Sequence, residues 1–528
     1  MKIFLILCVI TVCLLNPAQA AAQTDKDDGA GKLGSIAFSA SSELDGSGAY
    51  YIDQSDFNYG FETWFNGRIA GTLGKSVSYF ADIGVALISA KRKLLGAEEI
   101  MVDSTETVKL YSKPLGYFPY TYQSGWGGFV FPLTNLGATG PTGWPDEASI
   151  GFTIISEIKG SAINDIVKWS IGRTKHEAAS PVEGSSLALN MAAQPFFAYD
   201  LDLNLFPGFH LYSLTGMLEY FSSVSIYSSP MTFQNAFSLF QVSYNFREYF
   251  QIDAGSSAVW LKRFELAYLY PFTIPILYKN IGEFDNMAIF GSLKLQWPKI
   301  GFVWFSLFVD EMNMEKNFFN LDREMYALQA GLRYFTPFLS SGFITLSYTK
   351  IEPYCYTHEK VASPWYANNM EQAYVNHGYG LGYYLPPNSD ELKLAFSANA
   401  TPNVAVSAQY QMIRHGAEYG SSKVYGSSYA SELQPVGRSD NLQLRKFFLH
   451  DGAYQWMHII KVAGEWKLST RIPISLYGEG GTVISYFTDI EPGKAKTGAA
   501  YPNSVTDTAE YPKSNALILH IGFKVSTR

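Results

Sequence analysis

The sequence predicts an all-β protein that crosses a membrane as an antiparallel β-barrel of about 14 to 18 strands, with long surface loops that either leave the lumen open or plug it. Three observations carry this prediction. Segments of strand length alternate apolar with polar side chains, an export signal is followed by no spanning helix, and aromatic residues are abundant while charged residues are scarce.

Alternation is clearest in residues 517–525. Because successive side chains of a strand point to opposite faces, one face of this segment is an unbroken apolar stripe and the other is mixed. That pattern is typical of a strand with hydrocarbon outside and water inside. The stripe consists of Leu517, Leu519, Ile521, Phe523 and Val525, and similar alternation recurs in residues 77–87, 240–246, 404–412 and 458–468.

A soluble β-sandwich would show the same period, so alternation alone leaves two architectures open. Aromatic residues near strand ends favour the barrel, because membrane barrels carry aromatic girdles at both interfaces. One such group is Tyr59, Phe61, Trp64 and Phe65. A soluble secreted β protein is the alternative fold.

The amino terminus predicts a secretory signal peptide over residues 1–20. Lys2 precedes the apolar residues 3–15, and Ala18-Gln19-Ala20 supplies a small-residue cleavage site. A lipoprotein signal is disfavoured because Val12, rather than a small residue, precedes Cys13. Cleavage would leave Cys355, expected to be a loop thiol, as the single cysteine, so no intramolecular disulfide is expected.

Composition points the same way. The chain is 47% hydrophobic, 16% aromatic and 16% charged, against about 25% charged residues in a typical soluble domain. After the signal, no uninterrupted apolar run reaches the roughly 20 residues of a spanning helix. The nearest runs are residues 301–309 and the proline-interrupted residues 268–278. A closed barrel is the other architecture that satisfies backbone hydrogen bonds in lipid.

We therefore expect residues 21–528 to form a single barrel domain in the bacterial outer membrane. Four stretches that interrupt the strand pattern are expected to form its long loops. They lie near residues 90–145, 352–378, 414–451 and 489–513. The net charge of -8 argues against nucleic-acid binding.

Motifs that carry catalysis are scarce. The sequence has no P-loop, nucleophile elbow, His-Glu-x-x-His or paired Cys-x-x-Cys motif, so we expect no enzyme activity, no cofactor, no metal and no catalytic residues. The pairs Asp310-Glu311 and Arg323-Glu324 are interpreted as solvated charges between strands. His176 is interpreted as a residue at the polar end of a strand.

One loop has a composition that suits carbohydrate. Trp365, Tyr366, Asn368 and Tyr374 combine aromatic rings with an amide. Sugar rings present apolar faces that stack on aromatic side chains and hydroxyls that need hydrogen-bond partners. The alternative is that these aromatic residues only close the loop or belong to an interface girdle.

Three charged residues are expected to face the lumen. Lys461, Glu465 and Lys467 lie on the polar face of the alternating segment 458–468. In a water-filled lumen such charges tune selectivity, whereas in a filled lumen they form ion pairs that hold a plug.

Several short motifs follow one another between residues 165 and 528. They are Gly172-Arg173, Gly184-Ser185-Ser186-Leu187, Pro195, Glu265, Tyr268, Pro271, Asn280, Asp285-Asn286, Asp310 and Phe448-Leu449-His450-Asp451-Gly452. Their order resembles that of the capsule-assembly (Wzi-type) outer-membrane barrels and their spirochaete-like relatives. The resemblance implies an outer-membrane barrel that binds surface polysaccharide and helps to organise it, with a lumen closed by loops. The chain departs from the usual bacterial pattern by ending in Ser526-Thr527-Arg528 rather than an aromatic residue.

Together these observations predict a non-enzymatic outer-membrane protein that binds or helps to assemble surface polysaccharide. The alternative is a porin-type channel for passive passage of small hydrophilic solutes. Expected partners are outer-membrane lipid, the barrel-assembly machinery, and either surface polysaccharide or small solutes.

Overall fold

The structure is a computed structural model. It describes residues 38–53, 58–74, 76–89, 129–132, 148–218, 235–260, 265–277, 285–311, 325–337, 339–358, 373–376, 379–416, 429, 454–468, 473–488 and 514–526. The signal peptide predicted over residues 1–20 lies outside these ranges.

Strands account for nearly all of the regular structure in the described ranges. In chain order they are β1 (Phe38–Asp53), β2 (Asn58–Leu73), β3 (Val77–Ser89), β4 (Phe129–Pro132), β5 (Ala148–Ala162), β6 (Val167–Thr174), β7 (Phe196–Phe206), β8 (Phe209–Met217), β9 (Ala236–Phe246), β10 (Phe250–Trp260), β11 (Asn286–Trp297), β12 (Gly301–Glu311), β13 (Met325–Phe335), β14 (Ser340–Ile351), β15 (Val375–Asn376), β16 (Tyr379–Gly380), β17 (Ser389–Thr401), β18 (Val404–Gly416), β19 (Tyr454–Lys467), β20 (Ile474–Thr488) and β21 (Ser514–Ser526). A short helix, α1 (Leu266–Leu269), lies between β10 and β11.

These strands form a closed antiparallel wall. The main sheet has 19 strands, of which β4 adds only a short ladder to β5, so the other 18 make up the wall. The wall closes where β1 pairs with β21, from Glu43 opposite Ser526 to Asp53 opposite Ala516. Closure gives every strand two neighbours and so satisfies backbone hydrogen bonds without water. The predicted all-β barrel is confirmed, with a strand number at the upper end of the predicted range.

The two ends of the wall differ in their connections. At one end of the wall, called the turn end, hairpins are as short as residues 207–208 and 402–403. At the opposite end, called the loop end, the connections include residues 175–195 and 352–388. The loops predicted near residues 90–145, 352–378, 414–451 and 489–513 all fall largely between wall strands at the loop end. Most of the first, third and fourth lies outside the described residues. In outer-membrane barrels the long loops face the exterior and the short turns face the periplasm.

The outer face of the wall is apolar. In β21, Leu517, Leu519 and Ile521 are exposed, whereas Ile518 and His520 on the opposite face are buried. The same apolar exposure recurs around the wall, for example at Ile83, Ile154, Phe305, Leu394 and Val462. Such a band would cost about 25 cal/mol per Å² in water, so hydrocarbon is the environment it fits. This finding excludes the soluble alternative and confirms a barrel that spans a membrane.

No helix in the described ranges has the length and hydropathy needed to cross a membrane.

Candidate functional site

Two loops at the loop end fold back into the barrel. The first comprises residues 175–195, between β6 and β7. The second lies between β14 and β17, and its residues 352–358, 373–376 and 379–388 are described. These described residues of both loops are called the inner module below.

Glu177 organises the first loop. Its Oε1 accepts hydrogen bonds from Ser180 Oγ and from Gly184 N, both at 2.7 Å. Gly184 has φ of 74°, in the left-handed region that glycine enters without strain. Burial raises the pKa of Glu177, and these hydrogen bonds act in the opposite direction. The loop is therefore folded around its own carboxyl group.

The second loop bends sharply as it leaves β14. Tyr354 and Tyr356 have φ of 64° and 70°, values that are uncommon for residues other than glycine. Backbone hydrogen bonds from Cys355 to Glu352 at 3.2 Å and from Thr357 to Tyr354 at 3.1 Å define successive turns. Cys355, predicted as a loop thiol, lies in this bend with its side chain fully buried.

Direct hydrogen bonds join the two loops. Tyr356 Oη donates to Leu187 O at 2.7 Å, and Asn376 Nδ2 donates to Gln194 O at 3.0 Å. The backbone N–H of Asn190 donates to Leu381 O at 2.9 Å. The inner module is therefore one folded unit built from segments far apart in sequence.

The two loops also approach each other closely at Gly382. A Cβ atom added there would lie 2.5 Å from Leu187 O and 2.7 Å from the Tyr356 ring. The backbone of the second loop can reach the first at this point because residue 382 has no side chain.

Wall strands hold the inner module from the side. Gln241 Oε1 accepts from Ala179 N at 2.8 Å, and Tyr374 Oη donates to Ser257 Oγ at 2.8 Å. These contacts place both loops against the lumen face of the wall, opposite its exposed apolar stripe.

Asp310 corrects a prediction. We interpreted the Asp310-Glu311 pair as solvated charges, but Asp310 Oδ2 accepts a hydrogen bond from Tyr356 N at 2.6 Å. The pairing of β12 with β13 shifts register between Val309 and Glu311, which leaves Asp310 as the extra residue of a bulge. Asp310 lies two positions after the buried Phe308, on the same strand face, and its carboxylate is directed towards the inner module. Arg323 and Glu324 lie outside the described residues.

Aromatic side chains fill the space between the module and the wall. The Phe308 ring lies 4.8 Å from the Tyr356 ring and 5.3 Å from the Tyr374 ring, between centroids. Phe237 meets Tyr374 edge to face at 5.4 Å. Such pairs add about 0.5 to 1.5 kcal/mol each beyond their buried area.

This packing continues around the barrel. One contiguous cluster of buried apolar residues includes the inner module and lumen-facing residues of strands from every part of the wall. Among them are Trp64 of β2, Phe237 of β9, Phe308 of β12, Ile413 of β18 and Ile518 of β21. At this level the lumen is lined by buried apolar side chains rather than by solvated polar ones.

His176 is part of this packed region. It follows β6, as expected, but it is buried rather than at a polar surface. Burial lowers its pKa to about 4, although a hydrogen bond to the Phe196 backbone opposes the shift. Its Nδ1 lies 3.9 Å from Asp200 Oδ2, and its buried Nε2 has no hydrogen-bond partner among the residues that the structure describes. The imidazole is therefore neutral in the folded protein at neutral pH.

Charged pairs line another part of the lumen wall. Lys461 lies on the lumen face of β19, and its Nζ is 3.1 Å from Glu479 Oε1. Similar pairs join Lys524 Nζ to Glu43 Oε1 at 2.8 Å and Arg68 Nε to Asp82 Oδ1 at 3.5 Å. All three pairs lie on neighbouring strands of the segment β19 to β3.

Glu465 and Lys467 share the strand face of Lys461, since they lie four and six positions along β19. A functional role for these three charges stays a prediction. Among the described residues, no group of three or more His, Cys, Asp and Glu side chains could hold a metal ion.

The predicted glycan-binding residues divide into two groups. Trp365, Tyr366 and Asn368 lie outside the described residues. Tyr374 is fully buried in the inner module, with its ring against other aromatic rings rather than at a surface. Their role in ligand binding stays a prediction.

Sequence reasoning missed Gln241, Tyr356 and Glu391 as residues that hold the loops. The side chain of Glu391 accepts hydrogen bonds from both Tyr383 and Tyr384 of the second loop. Its position in an alternating strand was a usable signal, since a carboxylate on the lumen face needs a partner. The identity of that partner was not readable.

Comparisons with known proteins give structural likeness only. No family model and no curated protein matches the chain. The solved structure of Wzi from Escherichia coli, described as an outer-membrane protein involved in group 1 capsule assembly and a carbohydrate-binding β-barrel, is similar with 9% identity and a TM-score of 0.47 over 91% of this chain and 84% of that one.

Two Pseudomonas aeruginosa structures are similar to a comparable degree. OpdK with vanillate has 9% identity and a TM-score of 0.43 over 92% of this chain and 99% of that one. OccK7 (OpdD) has 10% identity and a TM-score of 0.44 over 93% and 99%. The structural similarity is shared by Wzi and the two Pseudomonas aeruginosa barrels, and no sequence match accompanies it.

Proposed function

We propose that this outer-membrane barrel binds surface polysaccharide, or helps to assemble it, with its lumen closed by the inner module. The observation that carries this proposal is the contiguous buried cluster that joins both loops to lumen-facing residues around the wall. A passive aqueous pore needs a wetted, polar path. A cluster of apolar side chains between the loops and the wall supports closure of that path.

The arrangement of the second loop supports a binding role. Residues on both sides of the undescribed stretch 359–372 belong to the packed inner module, with Thr357 and Ala373 both buried. In the sequence, Trp365, Tyr366 and Asn368 fall between these two buried positions. Aromatic and amide side chains suit a sugar chain, which offers faces to stack on and hydroxyls to bond.

Glycan binding can be measured with purified refolded protein on an array of bacterial capsular and O-antigen polysaccharides. The double substitution Trp365→Ala with Tyr366→Ala should weaken binding by about tenfold or more, since each stacking contact contributes on the order of 1 kcal/mol. Tyr249→Ala, at an exposed tyrosine in a turn-end hairpin, is the matched control and should bind as the parent does. Equal binding by the double variant, or no binding to any polysaccharide by the parent, would reject the proposal.

The second candidate function is passage of small hydrophilic solutes. The charged pairs Lys461–Glu479, Lys524–Glu43 and Arg68–Asp82 favour it, because paired charges along a lumen wall are typical of a wetted channel. Passage would require the inner module to move. Under either function the protein is proposed to act without catalysis and to reach the membrane through the barrel-assembly machinery.

A further inference from the structure

Residues 265–277, between β10 and β11, lie on the outside of the barrel. This segment, which contains α1, is called the outer flap below. The Tyr268 ring stacks on the Trp260 ring with centroids 5.2 Å apart, and both side chains are buried. Trp260 shares its strand face with Ile252, which is exposed on the outer surface of β10. The flap therefore covers part of the outer wall rather than the lumen.

The wall beneath the flap is polar where a lipid-facing wall is normally apolar. Thr215 of β8, Ser238 of β9 and Ser256 of β10 point outward, yet all three are buried. Their outward direction follows from period-two alternation with the exposed residues Met217, Tyr244 and Ile252 on the same strands. A hydroxyl that faced hydrocarbon without a partner would cost several kcal/mol.

Each of these hydroxyls has a partner in the flap or beside it. Thr215 Oγ1 donates to Tyr268 O at 2.8 Å, and Ser256 Oγ accepts from Ile276 N at 3.3 Å. Ser238 Oγ accepts from Trp260 Nε1 at 3.0 Å. Tyr199 Oη, also on the outer face, donates to Leu269 O. The flap and this part of the wall are therefore complementary in their hydrogen bonding.

The other face of the flap is apolar and uncovered. Leu266, Tyr270, Phe272 and Leu277 have exposed fractions of 69%, 58%, 44% and 74%. Residues 266–277 contain no charged side chain. A water-exposed surface loop would normally be polar, so this face has the character of the membrane-facing wall.

The flap is also continuous with that wall. Phe197 and Met217 pair with each other across β7 and β8, at the loop end, and both are exposed on the outer face. Along each strand they lie two residues beyond Tyr199 and Thr215, the residues that the flap contacts, and so form the next pair on the same face. The flap's apolar face thus extends the lipid-facing band where the strands approach the outer interface.

We propose that the outer flap is embedded in the outer leaflet and that Leu266, Tyr270, Phe272 and Leu277 bind lipid acyl chains. The flap replaces a local stretch of apolar wall: its inner face satisfies the wall's hydroxyls and its outer face meets hydrocarbon. The occupant is lipid, because the exposed side chains are uncharged, apolar or aromatic, and continuous with the lipid-facing band. This assignment depends on the barrel crossing a membrane and not on what its loops bind.

Site-directed spin labelling tests the assignment in the protein without the predicted signal peptide, which removes Cys8 and Cys13, refolded into phosphatidylcholine vesicles. Labels are placed at Leu266→Cys and Leu277→Cys, with Ile521→Cys as the lipid-facing control and Glu248→Cys, in an exposed turn-end hairpin, as the water-facing control. The native Cys355 is fully buried and should not take up label. For each spin label, the rate of collision with oxygen, which partitions into hydrocarbon, is compared with the rate of collision with a water-soluble nickel chelate.

The flap labels should follow Ile521→Cys, with a ratio of oxygen to nickel collisions about tenfold or more above that of Glu248→Cys, since the polar chelate is excluded from hydrocarbon. A ratio equal to that of Glu248→Cys would overturn the proposal and place the flap in water. Labels shielded from both reagents would overturn it in favour of a protein cover, such as a second copy of the chain. Heat-modifiable gel mobility identifies the variants that have folded. Because two flap positions are labelled, the test can be made even if one of the two cysteine variants does not fold.

Discussion

The phenolic oxygen of Tyr356 donates a hydrogen bond to the backbone oxygen of Leu187, 2.7 Å away and 169 positions earlier in the chain. The backbone N–H of the same tyrosine donates to Asp310 on the wall. One residue thus joins both loops of the inner module to β12. The proposed closure of the lumen depends on this kind of contact between loops and wall, because strand pairing alone leaves the lumen open.

Tyr356→Phe should destabilise the folded barrel. The substitution keeps the buried ring but leaves Leu187 O without this donor, which costs about 1 to 3 kcal/mol. Tyr356→Ala should cost more, about 3 to 5 kcal/mol, because it also opens a cavity. Urea unfolding in detergent micelles, followed by tryptophan fluorescence, gives the midpoints. Tyr249→Phe, at an exposed tyrosine, is the control, and identical midpoints for Tyr356→Phe and the parent would contradict the assigned role.

Asp310 should tolerate an amide better than an apolar side chain. Asp310→Asn retains an oxygen that can accept from Tyr356 N, whereas Asp310→Ala retains none and should cost about 1 to 3 kcal/mol. The urea midpoint should be highest for the parent, lower for Asp310→Asn and lowest for Asp310→Ala. If Asp310→Ala were as stable as the parent, Asp310 would be a solvated charge, and the assigned hydrogen bond would be contradicted.

His176 should make the fold acid-sensitive. Its pKa is lowered from 6.5 to about 4 by burial, so between these values the unfolded chain binds a proton that the folded protein does not. Stability is therefore full above pH 6.5 and falls as pH decreases to about 4, by up to about 3 kcal/mol. Urea midpoints between pH 8 and pH 4.5 measure the slope.

Replacing His176 with Gln removes this titration while keeping a polar side chain. The difference in unfolding free energy between parent and variant should shrink or reverse on acidification, since other titrating groups are common to both. A difference that did not vary with pH would show that His176 is solvated.

The ion pair of Lys461 with Glu479 should show energetic coupling. Both side chains are more than four-fifths buried, so removing one partner leaves the other charge poorly solvated. A double-mutant cycle with Lys461→Met and Glu479→Gln should give a coupling of about 1 to 2 kcal/mol. The exposed Lys467, replaced by Met in the same cycle, should show no coupling to Glu479.

The wall was the predictable part of this protein. In residues 517–525, period-two alternation alone identified which side chains face outward, and Leu517, Leu519 and Ile521 are exposed there. Strand periodicity is a local property, so it is visible in the sequence. The same rule placed Lys461 on the polar strand face where its pairing with Glu479 is found.

Contacts that depend on loop folding were not predictable. Asp310 meets Tyr356 because the chain bends sharply after β14 and brings Tyr356 back to the lumen face of β12. The apolar residues 268–278 attracted attention as a run too broken by proline to span a membrane. The position of residues 268–277 on the outer wall depends on hydroxyls of three strands, and no local pattern records that relationship.

Single-channel recording in a planar bilayer tests the closed lumen most directly. The parent protein, shown to be folded by heat-modifiable mobility, should insert without producing stable conductance steps. A variant whose residues 179–192 are replaced by a short glycine-serine linker should conduct, which shows that insertion and detection work. Stable steps of defined size from the parent would contradict closure by the inner module and favour the channel function.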